Sequence, residues 1–257
     1  MRHIPETHRI RQRFHKSVTT YSEHAVIQKR MAERLCDFVQ SVTTQTHWSC
    51  ALDLGCGTGF LTDAFLQRFH ADHIWAYDVV DAFAECFSAR PRCDFVAADV
   101  NHFSDYPVAD IVLSGATLQW IADVPALFRR LHQRTAAGAC FAFSSFTPDN
   151  FHEITTISER GLIYPTCETV CAWLNETGWR IRVVEQERLV EVFPDVRAVL
   201  RHLQRTGVTA TGDARGWTRR ELRLFEEKYA RFKLSDGRGY PLTYTPFYVV
   251  ATRESVF

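Results

Sequence analysis

Three glycines that alternate with other residues carry the clearest chemical signal in this sequence. Gly55, Gly57 and Gly59 follow a short apolar run, and Asp53 lies two residues before the first of them. Glycine allows the main chain to turn sharply from a strand into a helix, and it lets a ligand lie against the backbone where a Cβ atom would collide. The pattern therefore predicts a ligand-binding turn that is preceded by a carboxylate.

The glycine spacing distinguishes this turn from a dinucleotide site. Dinucleotide folds use G-x-G-x-x-G, with a pyrophosphate on the N-terminus of the following helix, whereas this chain has G-x-G-x-G and shows no second nucleotide-binding half. With its preceding acid, the segment resembles the first motif of class I S-adenosylmethionine methyltransferases. The resemblance implies that the loop passes under the methionine part of S-adenosylmethionine and that Asp53 acts on its amino end. An ordinary strand-to-helix turn is the alternative.

Further acids lie where later strands are expected to end. Asp78 follows the second predicted strand, and Asp99, with Val100 after it, follows the third. In open α/β sheets the ligand lies outside the carboxyl ends of the strands. We therefore expect Asp78 to accept hydrogen bonds from both ribose hydroxyls of the cofactor, and Asp99 to accept one from its adenine amino group. The segment Ser114-Gly115-Ala116, at the end of the fourth strand, is expected near the sulfonium, with Ser114 as a cofactor contact. A helix N-cap for Asp78 and a solvated turn for Asp99 are the alternatives.

Strands and helices alternate along the part of the chain that must hold these residues. Strands are predicted at 50–54, 73–77, 93–97, 111–114, 139–144, 180–189 and 244–251. Helices are predicted between most of them, for example at 60–69, 79–88, 124–134 and 168–177. This alternation predicts an α/β fold with a doubly wound, mostly parallel sheet of seven strands, which is the Rossmann-like fold of class I methyltransferases.

The whole chain, residues 1–257, is predicted to form one domain. Its hydrophobic content of 46% supports a full core, and residues 9–39 show the three- and four-residue periodicity of a helix. Two stretches, 147–166 and 194–240, are longer than ordinary connections, and connections that long are usually functional or carry helices of their own. We expect the N-terminal helix and these two insertions to form a lid over the strand ends.

Charge and composition narrow the class of protein. Equal numbers of acidic and basic residues give a formal net charge of zero, so the sequence has no general basic footprint for nucleic acid. It contains no apolar run of 18 residues, which argues against a transmembrane helix, and its first residues lack the apolar core of a signal peptide. The eight cysteines form no C-x-x-C pair, and no His/Cys cluster completes a metal site around Cys167 and Cys171. We therefore expect reduced thiols, no metal and a cytoplasmic protein.

Four further segments lie outside the glycine loop. They are Phe14 to Gln28 with Tyr21, His24 and Ala25, then Leu118-Gln119-Trp120, Leu200 to Gly207 with Arg201, His202 and Leu203, and Arg238 to Tyr244. Together they resemble the malonyl-acyl-carrier-protein O-methyltransferases of biotin synthesis, roughly over residues 14–252. The resemblance implies that a methyl group passes from S-adenosylmethionine to the free carboxylate of malonyl carried on acyl carrier protein. The products are S-adenosylhomocysteine and a methyl ester that fatty-acid elongation enzymes can accept.

This reaction needs little acid–base chemistry, because a carboxylate with an ordinary pKa of about 4 is ionised at neutral pH. Catalysis is then expected from alignment of the reacting atoms and exclusion of water. Arg201, in an apolar segment, is the candidate to hold the carboxylate through a bidentate pair. Tyr21 and Gln28 share a helix face and are expected to look into the cofactor cavity, Tyr21 as a catalytic residue and Gln28 as a cofactor contact. A surface position for Arg201 and simple packing for Tyr21 and Gln28 are the alternatives.

The late insertion has a local charge excess that bears on the partner. Between residues 197 and 238 lie nine Arg and two Lys against five acidic residues, and such a patch would steer an acidic acyl carrier protein toward the site. A solvated helix face is the alternative. Two other functions stay open: a methyltransferase for another small-molecule acid, quinone precursor or amine, and an S-adenosylmethionine-binding protein without catalysis.

Overall fold

The computed structural model describes residues 7, 8, 10–12, 14, 15, 24–158, 162–206 and 218–254. Its strands are β1 (His47–Leu54), β2 (His70–Asp78), β3 (Cys93–Ala97), β4 (Ala109–Gly115), β5 (Thr135–Phe146), β6 (Trp179–Gln186), β7 (Leu189–Phe193), β8 (Tyr240–Tyr244) and β9 (Pro246–Arg253). Its α-helices are α1 (Val26–Val42), α2 (Phe60–Leu66), α3 (Ala84–Phe87), α4 (Val124–Gln133), α5 (His152–Ile157), α6 (Cys167–Glu176), α7 (Val196–Arg205) and α8 (Arg219–Tyr229). The described residues between 7 and 15 are also helical and are called the N-terminal helical segment below.

Seven of the strands form one sheet in the order β3-β2-β1-β4-β5-β9-β6. The first five are parallel to their neighbours, and β9 runs antiparallel to both β5 and β6. Strands β1 to β3 are added toward one side of the sheet, and β4 and β5 are added toward the other. The strand order therefore reverses between β1 and β4, which is the position where open α/β sheets bind their ligands. The predicted doubly wound, mostly parallel sheet of seven strands is confirmed.

Helices cover both faces of this sheet because successive side chains of a strand point to opposite sides. In β1, Ala51 packs into the apolar cluster that contains the buried faces of α1 and α2. Its neighbours Leu52 and Leu54 pack into a second cluster with Phe128 of α4 and Val170 of α6. The central strands are therefore buried on both faces, and only their ends can carry polar residues that reach a ligand.

Side-chain caps set the start of several helices. The carboxylate of Asp123 accepts a hydrogen bond from the Ala126 N–H at 2.9 Å and begins α4, while Asp195 accepts from the Ala198 N–H at 2.7 Å and begins α7. A capping box begins α8, where the side chains of the N-cap threonine and of the glutamate three residues later bond reciprocally to the backbone. These caps explain why the helices begin where they do.

A second, two-stranded sheet was not predicted. The predicted strand 180–189 divides into β6 and β7, and the predicted strand 244–251 divides into β8 and β9. Strands β7 and β8 pair antiparallel with each other, outside the main sheet. The first break falls at the polar residues Glu187 and Arg188, and the second falls at Thr245. What the sequence pattern does not show is that the strands on either side of each break belong to different sheets.

The helical predictions differ from the structure in two places. The predicted helix 79–88 is reduced to a 3-10 turn at Asp81–Phe83 followed by the single turn of α3. Of the predicted helix 9–39, the structure describes α1 and the N-terminal helical segment. The insertion 147–166 carries α5, and the insertion 194–240 carries α7 and α8. Their role as a lid stays a prediction.

Two global features accompany this fold. All eight cysteines are free, and each is buried or half-buried. Within the described ranges, no helix combines the length and the apolar character needed to cross a bilayer.

Candidate cofactor and acceptor site

The three glycines of the loop serve two different purposes. All have positive φ angles, of 71° at Gly55, 52° at Gly57 and 94° at Gly59. A Cβ atom on Gly55 would lie 2.1 Å from the Thr117 hydroxyl, and one on Gly59 would lie 2.6 Å from the Arg90 guanidinium. A Cβ atom on Gly57 would meet no described atom within 4 Å. Gly55 and Gly59 therefore permit internal packing, and Gly57 faces open space.

The Arg90 side chain fixes the position of the glycine loop, a role that was not predicted from the sequence. Its guanidinium makes two hydrogen bonds to the Asp63 carboxylate, at 2.8 and 2.7 Å, and donates to the Thr58 carbonyl at 3.0 Å. Asp63 lies in α2, so these bonds tie the loop to the helix that follows it. Because Arg90 lies outside the loop motif, no local signal in the sequence marks it.

Two cavities open around the loop, and a third adjoins them through shared lining residues. The first, called the nucleoside cavity, is lined by Gly55, Gly57, Asp78, Asp99, Val100 and Trp120 among others. The second, the loop cavity, lies on the other side of the glycines and is lined by Gln28, Met31, Gly55, Gly57, Phe60 and Ala116 among others. The third, the acceptor cavity, is lined by Phe14, Gln28, Ala116, Phe146, Tyr164 and Thr206 among others.

Ala116 lines all three cavities and marks the point where they meet. It follows β4 and has a φ angle of 50°, in the left-handed region that residues other than glycine rarely adopt. Phe151, which also lines the acceptor cavity, has a φ angle of 57°. Such strained residues concentrate at functional sites, and here two of them lie at one cavity.

Asp78 lies at the end of β2, as predicted, and lines the nucleoside cavity. One of its carboxylate oxygens accepts the Gly57 N–H at 3.0 Å and the other accepts the Val80 N–H at 2.9 Å. Burial raises the pKa of Asp78 to about 6, against the opposing effect of these backbone donors. The carboxylate is held rigidly and retains further lone pairs, which suits it to accept hydroxyl donors.

Asp99 presents an acceptor to the same cavity. Its Oδ1 accepts hydrogen bonds from the Asn101 backbone and side chain, both at 2.9 Å, while its Oδ2 accepts the Thr7 hydroxyl at 2.7 Å. Burial favours a higher pKa for Asp99, but the bonds from Thr7 and Asn101 outweigh it and hold the pKa below its usual value. The Thr7 contact also brings the N-terminal helical segment against the cavity, where Ile10 and Phe14 line the wall.

Asp53 lies beneath the loop and is fully buried. Its Oδ2 accepts the Thr62 hydroxyl at 2.6 Å, whereas its Oδ1 has no hydrogen-bond partner among the described residues. Burial raises the pKa of Asp53 to about 7. An orphaned carboxylate oxygen in a buried site is costly unless a donor or cation meets it, and a ligand with an ammonium group fits this requirement.

Three of the predicted cofactor contacts, Asp53, Gly59 and Ser114, are not among the residues that line the three cavities. The Ser114 hydroxyl donates to the Leu54 carbonyl at 2.9 Å and so joins β4 to β1, while the next residues, Gly115 and Ala116, line the cavities instead. Gly59 caps α2 and packs on Arg90. Of the predicted segment Ser114-Gly115-Ala116, the last two residues line cavities and Ser114 does not. Val100 lines the nucleoside cavity, as expected.

Gln28 connects the loop cavity with the acceptor cavity, since it lines both. Trp120 similarly lines the nucleoside and acceptor cavities, and the neighbouring Gln119 is fixed by a 2.6 Å bond from its side-chain amide to the Ala116 carbonyl. Gln28 is the one of the two predicted helix-face residues that the structure describes; Tyr21 lies outside the described residues.

A buried polar chain ends in the acceptor cavity and was missed by the sequence analysis. The Asn150 side-chain oxygen accepts the Thr245 N–H at 3.1 Å, which leaves its amide nitrogen to donate to the Tyr164 hydroxyl oxygen at 3.3 Å. Since that oxygen already accepts a bond, the Tyr164 proton can be donated elsewhere. Burial raises the pKa of Tyr164 and keeps it protonated. Residues 150, 164 and 245 are too far apart in sequence for any local pattern to connect them.

The structure corrects the predicted position of Arg201. Its side chain is 53% exposed, lies 3.7 Å from the Asp195 carboxylate and lines none of the three cavities. Helix α7 is amphipathic, so Val199 and Leu203 are buried while Arg201 faces outward. The neighbouring His202 is buried instead, 2.6 Å from the Tyr244 hydroxyl, and burial lowers its pKa to about 4.

Comparison with known proteins gives the family. The methyltransferase domain family matches residues 52–141. The chain is 36% identical over 246 residues to a malonyl-(acyl-carrier protein) O-methyltransferase from Prosthecochloris aestuarii, which covers 93% of this chain and 91% of that protein. It is 34% identical over 241 residues to the protein of that name from Porphyromonas gingivalis, which covers 93% of each. This chain belongs to the malonyl-(acyl-carrier protein) O-methyltransferase family. The solved structure of the YcgJ protein from Bacillus subtilis shares the fold, with a TM-score of 0.62 at 11% identity over 86% of this chain and 98% of that one.

The domain match and the family similarity cover different parts of the site. The match to the methyltransferase domain contains Asp78, Asp99 and most of the other residues that line the nucleoside cavity. Gln28 and Tyr164 of the acceptor cavity lie outside that match but inside the stretch shared with family members. The residues that distinguish this family from other methyltransferases are therefore to be sought around the acceptor cavity.

Proposed function

We propose that this family member transfers a methyl group from S-adenosylmethionine to the free carboxylate of malonyl-acyl carrier protein, giving the methyl ester and S-adenosylhomocysteine at the start of biotin synthesis. The observation that carries the proposal is the meeting of three cavities at Ala116. Two of them suit the two ends of a methyl donor, and the third suits an acceptor. The family relatives that cover over nine-tenths of the chain carry this activity in their names.

The residues present fit S-adenosylmethionine. Asp78 would hold the ribose and Asp99 the adenine amino group, while the orphaned oxygen of Asp53 would meet the amino end. The open space beside Gly57 would let the methionine part lie against the loop. When bound, S-adenosylmethionine supplies a methyl group activated by a positively charged sulfonium.

The chain's own contribution is alignment and exclusion of water. The acceptor carboxylate is already ionised at neutral pH, so no side chain has to remove a proton from it. Phe14, Trp120 and Phe146 form apolar walls of the acceptor cavity, which hold the acceptor in place and keep water from the reacting atoms. Because transfer converts a charged carboxylate into a neutral ester, apolar walls favour the product over the reactant.

The Tyr164 hydroxyl is the donor that we assign to the acceptor carboxylate. Asn150 holds its oxygen from behind at 3.3 Å, and Tyr164 itself lines the acceptor cavity. A hydrogen bond to a carboxylate is stronger than one between neutral groups, so this contact would orient one oxygen and leave the other for the methyl group. The exposed position of Arg201 favours Tyr164 over Arg201 for this role.

Carrier-protein recognition is assigned to the outer face of α8. Its arginines at 219, 220 and 223 are exposed, and the surrounding insertion carries the chain's local basic excess. Charges of this kind raise the rate of encounter with an acidic partner and set its orientation. We assign the protein to the cytoplasm, whose reducing conditions suit eight free cysteines.

The test is mass spectrometry of malonyl-acyl carrier protein after incubation with the full chain and S-adenosylmethionine. We expect the malonyl group to gain one methyl, and the same carrier protein loaded with acetyl, which lacks the free carboxylate, to gain none. Methylation of free small acids without any modification of malonyl-acyl carrier protein would refute the proposal.

A further inference from the structure

Three side chains of types that bind metals lie together at the N-terminal ends of β1 and β2, at the end of the sheet opposite the cavities. His47 begins β1 and His70 begins β2, and the two are paired in the parallel register of these strands. Asp72 follows two residues later on β2, on the same face as His70 by the two-residue period of a strand. We propose that His47, His70 and Asp72 form a surface site for one divalent transition-metal ion of the zinc class.

The side chains are already close to the arrangement that a metal requires. The Asp72 Oδ1 lies 2.8 Å from the His47 Nε2 and 3.8 Å from the His70 Nε2, and all three ligand atoms fall within 4.8 Å of one another. The two imidazole rings stack with centroids 5.1 Å apart and an angle of 23° between their planes. Zinc–ligand bonds of about 2.0–2.2 Å at tetrahedral angles separate ligand atoms by about 3.4 Å. The spacing of the ligand atoms therefore suits one ion, but the two stacked rings must turn so that a lone pair of each, which lies in the ring plane, points at it.

The backbone that carries these ligands is rigid. Paired residues continue along β1 and β2 from His47 and His70 to the ends of both strands, so the spacing of the two histidines is fixed by the sheet. The side chains themselves are exposed, which leaves a path for the ion from solvent. With three protein ligands, a fourth tetrahedral position would be open to water.

Arg92 indicates that the His70 Nε2 carries a lone pair, and it competes with a metal ion for that lone pair. Its Nη1 lies 2.8 Å from the His70 Nε2, and because a guanidinium can only donate, that ring nitrogen must be an acceptor. A metal would use the same lone pair. Arg92 is exposed, so its side chain can move away, but its positive charge would weaken binding of a cation.

The donor set selects the class of ion. Two imidazoles and one carboxylate suit Zn²⁺, Ni²⁺ or Cu²⁺, whereas Mg²⁺ and Ca²⁺ prefer all-oxygen sites. β1 separates His47 from the glycine loop by eight residues, about 26 Å at 3.3 Å per residue. An ion here would fasten the starts of β1 and β2 without touching the methyl-transfer site.

The experiment is calorimetric titration of the chelator-treated full chain with Zn²⁺, together with thermal melts. We expect one zinc site per chain, a higher melting temperature with zinc, and loss of both in His47→Ala and His70→Ala. His73→Ala is the matched control, because His73 lies on the same strand but pairs with Asp94 at 3.1 Å, and it should keep the site. Arg92→Ala should bind zinc several-fold more tightly than the parent.

Equal zinc uptake by the parent and by both histidine variants would overturn the proposal, and so would weaker binding in Arg92→Ala. Binding of S-adenosylhomocysteine serves as the check of folding, since it depends on residues at the other end of β1. Each variant should retain it, so loss of zinc with retained S-adenosylhomocysteine binding assigns the ligand role to the histidine replaced.

Discussion

Gly57→Ala separates the conformational cost of a loop glycine from its role in binding. Gly57 has a φ of 52°, and a Cβ atom there would meet no described atom within 4 Å. Gly138, in the early part of β5, is exposed, has a φ of 81° and is equally free of neighbours within 4 Å. The two glycines therefore both have a positive φ and open space for a Cβ atom, but only Gly57 lines the nucleoside and loop cavities.

Both substitutions should lower stability by similar amounts. A side chain in the left-handed region costs roughly 1–2 kcal/mol, and for a domain of this size each kcal/mol shifts the melting temperature by about 2–4 °C. We therefore expect each variant without ligand to melt about 2–8 °C below the parent. Neither change should prevent folding, because no existing atom has to move.

Binding should distinguish the two variants. The new methyl group of Gly57→Ala would occupy the space proposed for S-adenosylhomocysteine, so we expect at least a tenfold loss of affinity, or about 1.4 kcal/mol. Gly138→Ala should bind like the parent. The assay is calorimetric titration with S-adenosylhomocysteine, supported by melts with and without it. Equal affinity in the two variants would refute the assignment of these cavities to the methyl donor.

Four further predictions test other parts of the site. Asp78→Ala should weaken S-adenosylhomocysteine binding by about 1.5–3 kcal/mol, the usual contribution of hydrogen bonds to a charged group; calorimetry that finds unchanged affinity would remove Asp78 from the ribose site. Burial raises the pKa of Asp53 to about 7, so the folded protein binds this proton more readily than the unfolded chain, and stability should fall as pH rises from about 4 to about 7; melts should show a smaller fall in Asp53→Asn, and an identical fall would contradict the assignment. Tyr164→Phe should lower kcat/KM for malonyl-acyl carrier protein about ten- to a hundredfold, while Arg201→Ala, at an exposed position, should stay near the parent; steady-state kinetics with the reverse pattern would return the carboxylate to Arg201. Charge reversal of the exposed α8 arginines, by Arg219→Glu, Arg220→Glu and Arg223→Glu, should slow association with the carrier protein and flatten its salt dependence without changing S-adenosylhomocysteine affinity. A stopped-flow association rate that responds neither to salt nor to these substitutions would show that the arginines form only a solvated helix face.

The parallel half of the fold could be predicted from the sequence because each strand there contains an apolar segment, and the strands that carry the predicted acids are followed by a recognisable end. Asp78 ends β2 at the predicted position, and Asp99 lies two residues beyond β3, where the nucleoside cavity opens. The antiparallel half could not be predicted in the same way. β7 and β8 lie only one or two residues from strands of the main sheet, and only the three-dimensional pairing of Leu189 with Tyr244 shows that they form a separate sheet.

The donor and acceptor sides of the site differ in how much sequence reasoning can recover, and the reason is geometric. The residues proposed for the donor side, Asp53, Asp78 and Asp99, lie at or within two residues of the ends of β1, β2 and β3, so the topology of the sheet alone brings them together. The acceptor side takes Gln28 from α1 and Tyr164 from the connection between α5 and α6, and Tyr164 depends on Asn150 for its orientation. No single element relates these residues, so their proximity depends on how the insertions pack on the sheet. A charged residue in an apolar segment, such as Arg201, attracts attention in the sequence, but helix periodicity turns it outward, whereas the uncharged Tyr164 is turned inward by the packing around it.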